Sequence, residues 1–308
     1  MKIAILGAGA YGIALSSIFY RNKHDVVLYT PLEEEAKMLL ETHKSDKLPE
    51  YLIPEDILVT TNFEQAVSGS KIIVMCVPAF AVNSTAHNLS KIITNEQHIL
   101  IASKGIEQES CSFLTEVIRK HINSDRCAII SGPTFAADVV KNVPIGLSIA
   151  GINTDTIELI KTAMSNDTTK LRETSDVIGL EICGSVKNVI AIASGILKGM
   201  NVTPSTQALF LTESLNDIKV LIEALGGDKR TIVSFAGFGD IYMTCSSEAS
   251  RNFTYGKMIG EGRSKEEIES YRNNTTIEGL YTLSSVYKLI KDRNVNIPII
   301  DLINDIIN

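Results

Sequence analysis

At 308 residues the chain is long enough for about two domains, because single cores stop growing near ~250–300 residues. Its 44% hydrophobic and 21% charged residues, with only 8 Pro, exclude a chain that is mainly disordered or collagen-like. A net charge of −7 argues against a nucleic-acid partner, which needs clustered Lys and Arg, and 5 scattered cysteines without C-x-x-C or Cys/His spacing give neither a disulfide framework nor a metal site. A cytoplasmic, reducing location is expected.

The chain opens with Met1-Lys2-Ile3-Ala4-Ile5-Leu6, which stops at Gly7-Ala8-Gly9, too short for the apolar core of a signal peptide. It reads as a buried strand. Further apolar, β-branched runs fall at 26–29, 72–77, 99–103, 127–131 and 146–150, with helical spacing between several of them, as at 13–21 and 112–121. This alternation predicts a mostly parallel sheet covered on both faces. Residues 72–90 lack Asp, Glu, Lys and Arg, yet Pro78, Asn83, Ser84, Thr85, His87 and Asn88 interrupt the run, so no membrane span is expected. After about 169–173 the strand pattern gives out. Segments of 3.6-residue periodicity follow at 177–200, 204–225, 250–260, 265–271 and 282–291, which predicts an all-helical second half. The expected domains are 1–176 and 177–308.

Gly7-x-Gly9-x-x-Gly12 follows the first strand and opens the first helix. In that setting Gly7 makes the tight turn, Gly9 lets the backbone approach a pyrophosphate and Gly12 brings helix and strand together. The second strand ends in Tyr29-Thr30-Pro31, without the acid that binds the ribose of NAD or the arginine that suits NADP, so neither is selected. Glu33 and Lys37 lie just downstream and read as solvated helix charges. All 5 histidines (His24, His43, His87, His98, His121) fall in the first half; His24 and His43 lie in expected turns, and His98 and His121 near element ends, where solvated histidines are expected. A helical half that holds substrate must therefore draw its acid or base from other residue types.

Lys187 stands in an otherwise small or apolar helix, with Gly184, Ala191 and Ser194 on its face. Two readings are open. A desolvated lysine has its pKa lowered towards neutrality and serves as acid or base, whereas a snorkelling lysine merely covers apolar surface. Gly239-Asp240 reads as a turn and helix cap. Ser250-Arg251-Asn252 at a helix start offers a cap, outward N–H groups and a bidentate fork for a phosphate, or simply a solvated helix start. Ser103-Lys104-Gly105 and Ser131-Gly132-Pro133-Thr134 follow strands, where α/β sheets bind ligands.

Taken in order, these segments resemble the NAD(P)-dependent glycerol-3-phosphate dehydrogenase family of bacterial type. The resemblance rests on Gly-Ala-Gly-Ala-Tyr-Gly (7–12), Ser-Lys-Gly-Ile-Glu (103–107), Ser-Gly-Pro-Thr-Phe-Ala (131–136), Val-Lys-Asn-Val-Ile-Ala-Ile-Ala (186–193), Gly-Asp with Thr-Cys (239–245), Ser-Arg-Asn (250–252) and Ile-Glu-Gly (277–279). It implies an α/β fold, with an N-terminal Rossmann-like doubly wound sheet and an all-α C-terminal domain. It also implies interconversion of sn-glycerol 3-phosphate and dihydroxyacetone phosphate with NAD or NADP, feeding phospholipid synthesis. By the resemblance Lys187 is the acid/base residue, with Lys104 and Asp240 as its catalytic companions. Gly132, Thr134, Asn188, Thr244, Ser250, Arg251 and Asn252 are assigned to the phosphorylated substrate. Gly7, Gly9, Ala10, Tyr11, Gly12, Ala136 and Glu278, together with Lys104 and Arg251, are assigned to the dinucleotide.

The chain departs from the family pattern at Ala10-Tyr11, where Ser-Trp is usual, at Phe80 for His, at Thr30-Pro31 for a basic residue, and at Glu213 near a usual Arg. Two rivals remain at this level: a dehydrogenase of a non-phosphorylated hydroxy acid, with Arg251 on a carboxylate, and a dinucleotide sensor without turnover. A homodimer through the helical half is expected from the number of apolar helix faces to be covered.

Overall fold

The computed structural model describes residues 1–307; Asn308, the last residue of the expected second domain, lies outside the described residues. The chain divides into two compact units. The first comprises Met1–Ser103, Leu114–Ile130 and Thr134–Ser175, and the second comprises Lys104–Phe113, Ser131–Pro133 and the chain from Asp176 onward.

The first unit is built on β1 (Lys2–Leu6), α1 (Ala10–Arg21), β2 (Asp25–Tyr29), α2 (Glu33–Thr42), β3 (Leu58–Thr60), α3 (Phe63–Val67), β4 (Ile72–Met75), α4 (Ala79–Ser90), β5 (His98–Ile101), α5 (Leu114–His121), β6 (Cys127–Ser131), α6 (Ala136–Val140), β7 (Ile145–Gly151), α7 (Thr154–Met164) and β8 (Thr169–Thr174). The sheet has 8 strands in the order β3-β2-β1-β4-β5-β6-β7-β8. β1 pairs in parallel with both β2 and β4, placing Ile3 between Val26 and Ile72. The direction of winding reverses there, and α/β sheets bind ligands outside the strands' carboxyl ends at such a reversal. This is the doubly wound Rossmann-like sheet that the strand–helix alternation predicts.

Ile72, Ile73, Val74 and Met75 are fully buried, as a strand covered on both faces requires. β3 and β8, at the two ends of the order, are absent from the apolar runs. β8 buries Thr169 and Leu171 while Lys170 and Arg172 face water, so its pattern is half polar. His98 corrects an expectation: it is the first residue of β5, at an element end as expected, but it is buried rather than solvated, and its Nδ1 shares a hydrogen bond of 2.8 Å with Thr156 Oγ1. Desolvation and the neighbouring Arg126 lower its pKa.

The second unit holds α8 (Val177–Gly199), α9 (Pro204–Ala224), a 3-10 turn at Lys229–Val233, a wide turn at Phe235–Gly239, α10 (Asp240–Cys245), α11 (Arg251–Gly260), α12 (Lys265–Asn274), α13 (Glu278–Leu289) and α14 (Pro298–Ile307). α8 is long and apolar enough to cross a bilayer, but 83% of its apolar window is buried inside the protein, which marks it as a core helix. Asp176 caps it, accepting from Gly179 N at 2.9 Å, Thr231 Oγ1 at 2.6 Å and Asp228 N at 3.0 Å, and so ties the helix start to the segment after α9. Asp217 of α9 likewise accepts from Ile299 N and Ile300 N, fixing the start of α14.

Glycines let α11 and α13 press onto α8. A Cβ on Gly195 would sit 2.0 Å from Phe253 O, one on Gly256 1.8 Å from Ile192 O, and one on Gly279 2.6 Å from Asn188 O. The contact is therefore backbone against backbone, and it sets Ser250-Arg251-Asn252 and Glu278 relative to Lys187-Asn188 within the unit.

Candidate active site

In the first unit, Gly7 has φ +120°, open to glycine but strained for an L side chain, and a Cβ there would meet Cys76 O at 2.4 Å. A Cβ on Gly12 would lie 1.9 Å from Gly7 O, so helix and loop are in contact. Gly9 differs: a Cβ would meet nothing within 4 Å, and the space beside it is open to a ligand. No side chain caps α1, and no acid stands in its first turn. Such a helix start suits a pyrophosphate, so the loop fits the dinucleotide that its spacing implies.

Ala10 and Tyr11 form the first turn of α1, and Tyr11 Oη shares a hydrogen bond of 3.0 Å with Thr134 Oγ1. The start of α1 and Thr134 are thereby joined within the first unit. Ala136 is the first residue of α6, another helix whose start carries no side-chain cap. Phe80, in the first turn of α4, is 63% exposed.

The second unit gathers residues far apart in sequence. Lys187 donates to Asp240 Oδ1 at 2.6 Å, and Lys104 donates to Asp240 Oδ2 at 2.9 Å. Lys187 also donates to Thr244 Oγ1 at 3.2 Å, and that hydroxyl donates to the main-chain oxygen of Asp240 at 2.6 Å. Lys104 reaches Gly132 O at 3.4 Å. Asp240 is fully buried and Lys187 only 6% exposed, which decides against the snorkelling reading.

Burial is the main cause that brings Lys187 down to about 8; Asp240 opposes the fall and Lys104 adds to it. Burial alone would raise Asp240, but the ammonium groups of Lys104 and Lys187 outweigh it and hold the carboxyl below its usual range. Two cations against one anion leave the cluster with one positive charge. Cys183 and Cys245 are buried free thiols whose pKa values desolvation raises, which makes them unreactive packing groups.

Next to Lys187, Asn188 Nδ2 donates to Glu278 Oε2 at 3.0 Å, and the other oxygen of Glu278 lies 3.8 Å from Arg251 Nη2. Ser250 caps α11, accepting from Phe253 N at 3.3 Å. Arg251 is exposed at the helix start, whereas Asn252 is buried, with its Oδ1 accepting from Gly279 N. Asn252 thus joins α11 to α13. Glu107 of the 103–107 motif closes its own loop, accepting from Ser110 N at 2.7 Å and Ser110 Oγ at 2.6 Å. Glu213 is exposed on α9, where its charge adds to the raised pKa of Asp217 after the larger effect of burial.

A pyrophosphate-type loop at the reversal point of a doubly wound sheet, followed by a helical unit with a buried Lys–Asp–Lys cluster, defines a two-unit Rossmann-type protein equipped for dinucleotide chemistry. The chain belongs to the NAD-dependent glycerol-3-phosphate dehydrogenase family: the family's N-terminal model matches residues 2–157 and its C-terminal model residues 176–308. It is 33% identical over 310 residues to the NAD(P)+ glycerol-3-phosphate dehydrogenase of Fusobacterium nucleatum subsp. nucleatum, covering 100% of this chain and 92% of the relative. It is 35% identical over 303 residues to that of Leptospira biflexa, covering 97% of this chain and 91% of the relative. Among solved structures, the glycerol-3-phosphate dehydrogenase of Coxiella burnetii superposes with a TM-score of 0.93 at 29% identity, over 100% of this chain and 94% of that one.

Proposed function

We propose that the chain interconverts sn-glycerol 3-phosphate and dihydroxyacetone phosphate with NAD or NADP, and so supplies glycerol 3-phosphate for phospholipid synthesis. The observation that carries this reading is the buried Lys187–Asp240–Lys104 cluster, supported by full-length similarity to relatives of that name. Residues 1–176 carry the dinucleotide on the loop Gly7–Gly12, and residues 177–308, with Lys104 and Gly132, carry the substrate.

When bound, the nicotinamide dinucleotide supplies or accepts the hydride exchanged at C2 of the substrate. The protein's task is to hold the three-carbon phosphate and manage one proton. In the reducing direction, protonated Lys187 donates from Nζ to the oxygen developing on C2, while Asp240 and Thr244 fix that ammonium. In the oxidising direction, neutral Lys187 takes the proton back. The depressed pKa makes both forms available near neutrality. Lys104 adds a second positive charge beside the oxygen, and Arg251, at the uncrowded start of α11, grips phosphate oxygens with its planar fork. Asn188 and Asn252 orient Glu278 and the start of α13 around it. The enzyme works in the cytoplasm as a homodimer through its helical half.

The test is oxidation of NADH and NADPH followed by absorbance with dihydroxyacetone phosphate, phosphate-free dihydroxyacetone and a simple 2-keto acid. Turnover confined to the phosphorylated ketone is expected. Equal turnover of the 2-keto acid would favour the hydroxy-acid reading, and no turnover with bound cofactor would favour a sensor.

A further inference from the structure

β2 ends without the charged residue by which a Rossmann sheet reads the adenosine ribose, since Thr30 and Pro31 occupy that place. The first unit brings charge there from other segments. Glu35, in the first turn of α2, accepts a hydrogen bond from the Thr30 hydroxyl on one carboxylate oxygen. Lys47, in the segment after α2, donates to the other.

Thr30 is 1% exposed, and its main-chain N–H donates to Thr60 O at 3.2 Å, so this anchor is locked beside the ends of β2 and β3. The Glu35 side chain is 11% exposed with both oxygens engaged, whereas that of Lys47 is 49% exposed. The group turned towards solvent at this relay is therefore an ammonium, with a carboxylate fixed behind it.

We infer that Lys47, positioned by Glu35 and Thr30, reads the 2′ substituent of the dinucleotide's adenosine ribose and lets the site take a 2′-phosphate as well as a free 2′-hydroxyl. An ammonium has three donors, and Glu35 engages one side of it, leaving capacity for an anionic oxygen. The carboxylate offsets the positive charge, so the pair is neutral overall and does not penalise the uncharged hydroxyl of NAD. This inference rests on the dinucleotide reading of the glycine loop.

The experiment is fluorescence titration of the full-length protein with NADPH and with NADH, in the absence of substrate. In the wild type both are expected to bind. Lys47→Gln is expected to weaken NADPH by about tenfold or more, the worth of a charge-assisted contact, while NADH stays within about threefold. Glu35→Gln removes the opposing charge and should shift the preference towards NADPH. Equal weakening of both cofactors by Lys47→Gln, or no change in either, overturns the assignment, as does a Glu35→Gln variant that favours NADH more than the wild type does. Failure of the wild type to bind either cofactor would instead overturn the dinucleotide reading itself.

Discussion

The glycine loop of the first unit is one contiguous stretch, residues 7–12, whose spacing already states its geometry. The lysine cluster of the second unit is assembled from Lys104, Gly132, Lys187, Asp240 and Thr244, with 53 residues separating even the two partners of its shortest ion pair. The first depends on missing side chains and free backbone, and it tolerates no added atom at Gly7 or Gly12. The second depends on charges that burial forces together, and each member holds another in its working state. A backbone device is thus broken by sterics, and a charge device by the loss of a partner.

The largest effect should come from Lys187→Ala. Loss of a general acid or base lowers kcat by ~10²–10⁴, while fluorescence titration should show NADH affinity nearly unchanged because the glycine loop is untouched. Near wild-type turnover would refute the role of Lys187.

Asp240→Asn leaves the buried ammonium of Lys187 and the half-buried one of Lys104 facing an uncharged amide. Breaking a buried pair in this way costs about 3–5 kcal/mol, so the urea midpoint should fall markedly, and the Lys187 pKa should drop further. An unchanged midpoint would mean that the cluster is more hydrated than its burial indicates.

Gly12→Ala probes the other device. With 1.9 Å between the new Cβ and Gly7 O, the loop must shift. Overpacking of this kind costs about 1–3 kcal/mol, and the loss should appear mainly as weaker cofactor binding with kcat at saturation largely kept. A selective fall in kcat would break the division of labour drawn here.

Arg251→Lys keeps the charge but loses the planar fork, so kcat/KM for dihydroxyacetone phosphate should fall by about tenfold or more, with little change for phosphate-free dihydroxyacetone. Equal losses for both ketones would move the phosphate contact to Lys104.

The smallest effect is a displacement on the pH axis. With Lys187 at about 8, kcat/KM for ketone reduction should be flat below that pH and fall above it, because the protonated form is the donor. For oxidation it should rise through the same pH to a plateau. Lys104→Met removes a neighbouring cation that depresses Lys187, so both profiles should move to higher pH. A shift to lower pH would contradict the electrostatics of the cluster.

How much of this was readable in advance follows the same division. The apolar run at 72–77 and the Gly7/Gly9/Gly12 spacing are local patterns; the structure makes a buried strand of residues 72–75 of that run and a tight glycine loop of that spacing. β3 and β8 escaped because outer strands need bury only part of their surface. His98 was misjudged because its position near the start of a strand says nothing of Thr156 lying across from it. Its own helix leaves Lys187 equally a base or a snorkel, and only the family resemblance pairs it with Asp240, since helical spacing describes a residue's own face and not what opposes it. Glu33 and Lys37 drew notice beside β2, while the residues that pair there are Glu35 and Lys47, 12 positions apart.

The glycine seam between α8 and α11 has a further consequence. Because two main chains touch there, the separation between the helix bearing Lys187 and the helix start bearing Arg251 does not respond to rotamer changes or to repacking of the core. It works as a ruler of fixed length. A side chain at either Gly195 or Gly256 alone would meet main-chain oxygen across the seam, at 2.0 Å and 1.8 Å, so one added methyl group at either position must push the two helices apart and lengthen that ruler.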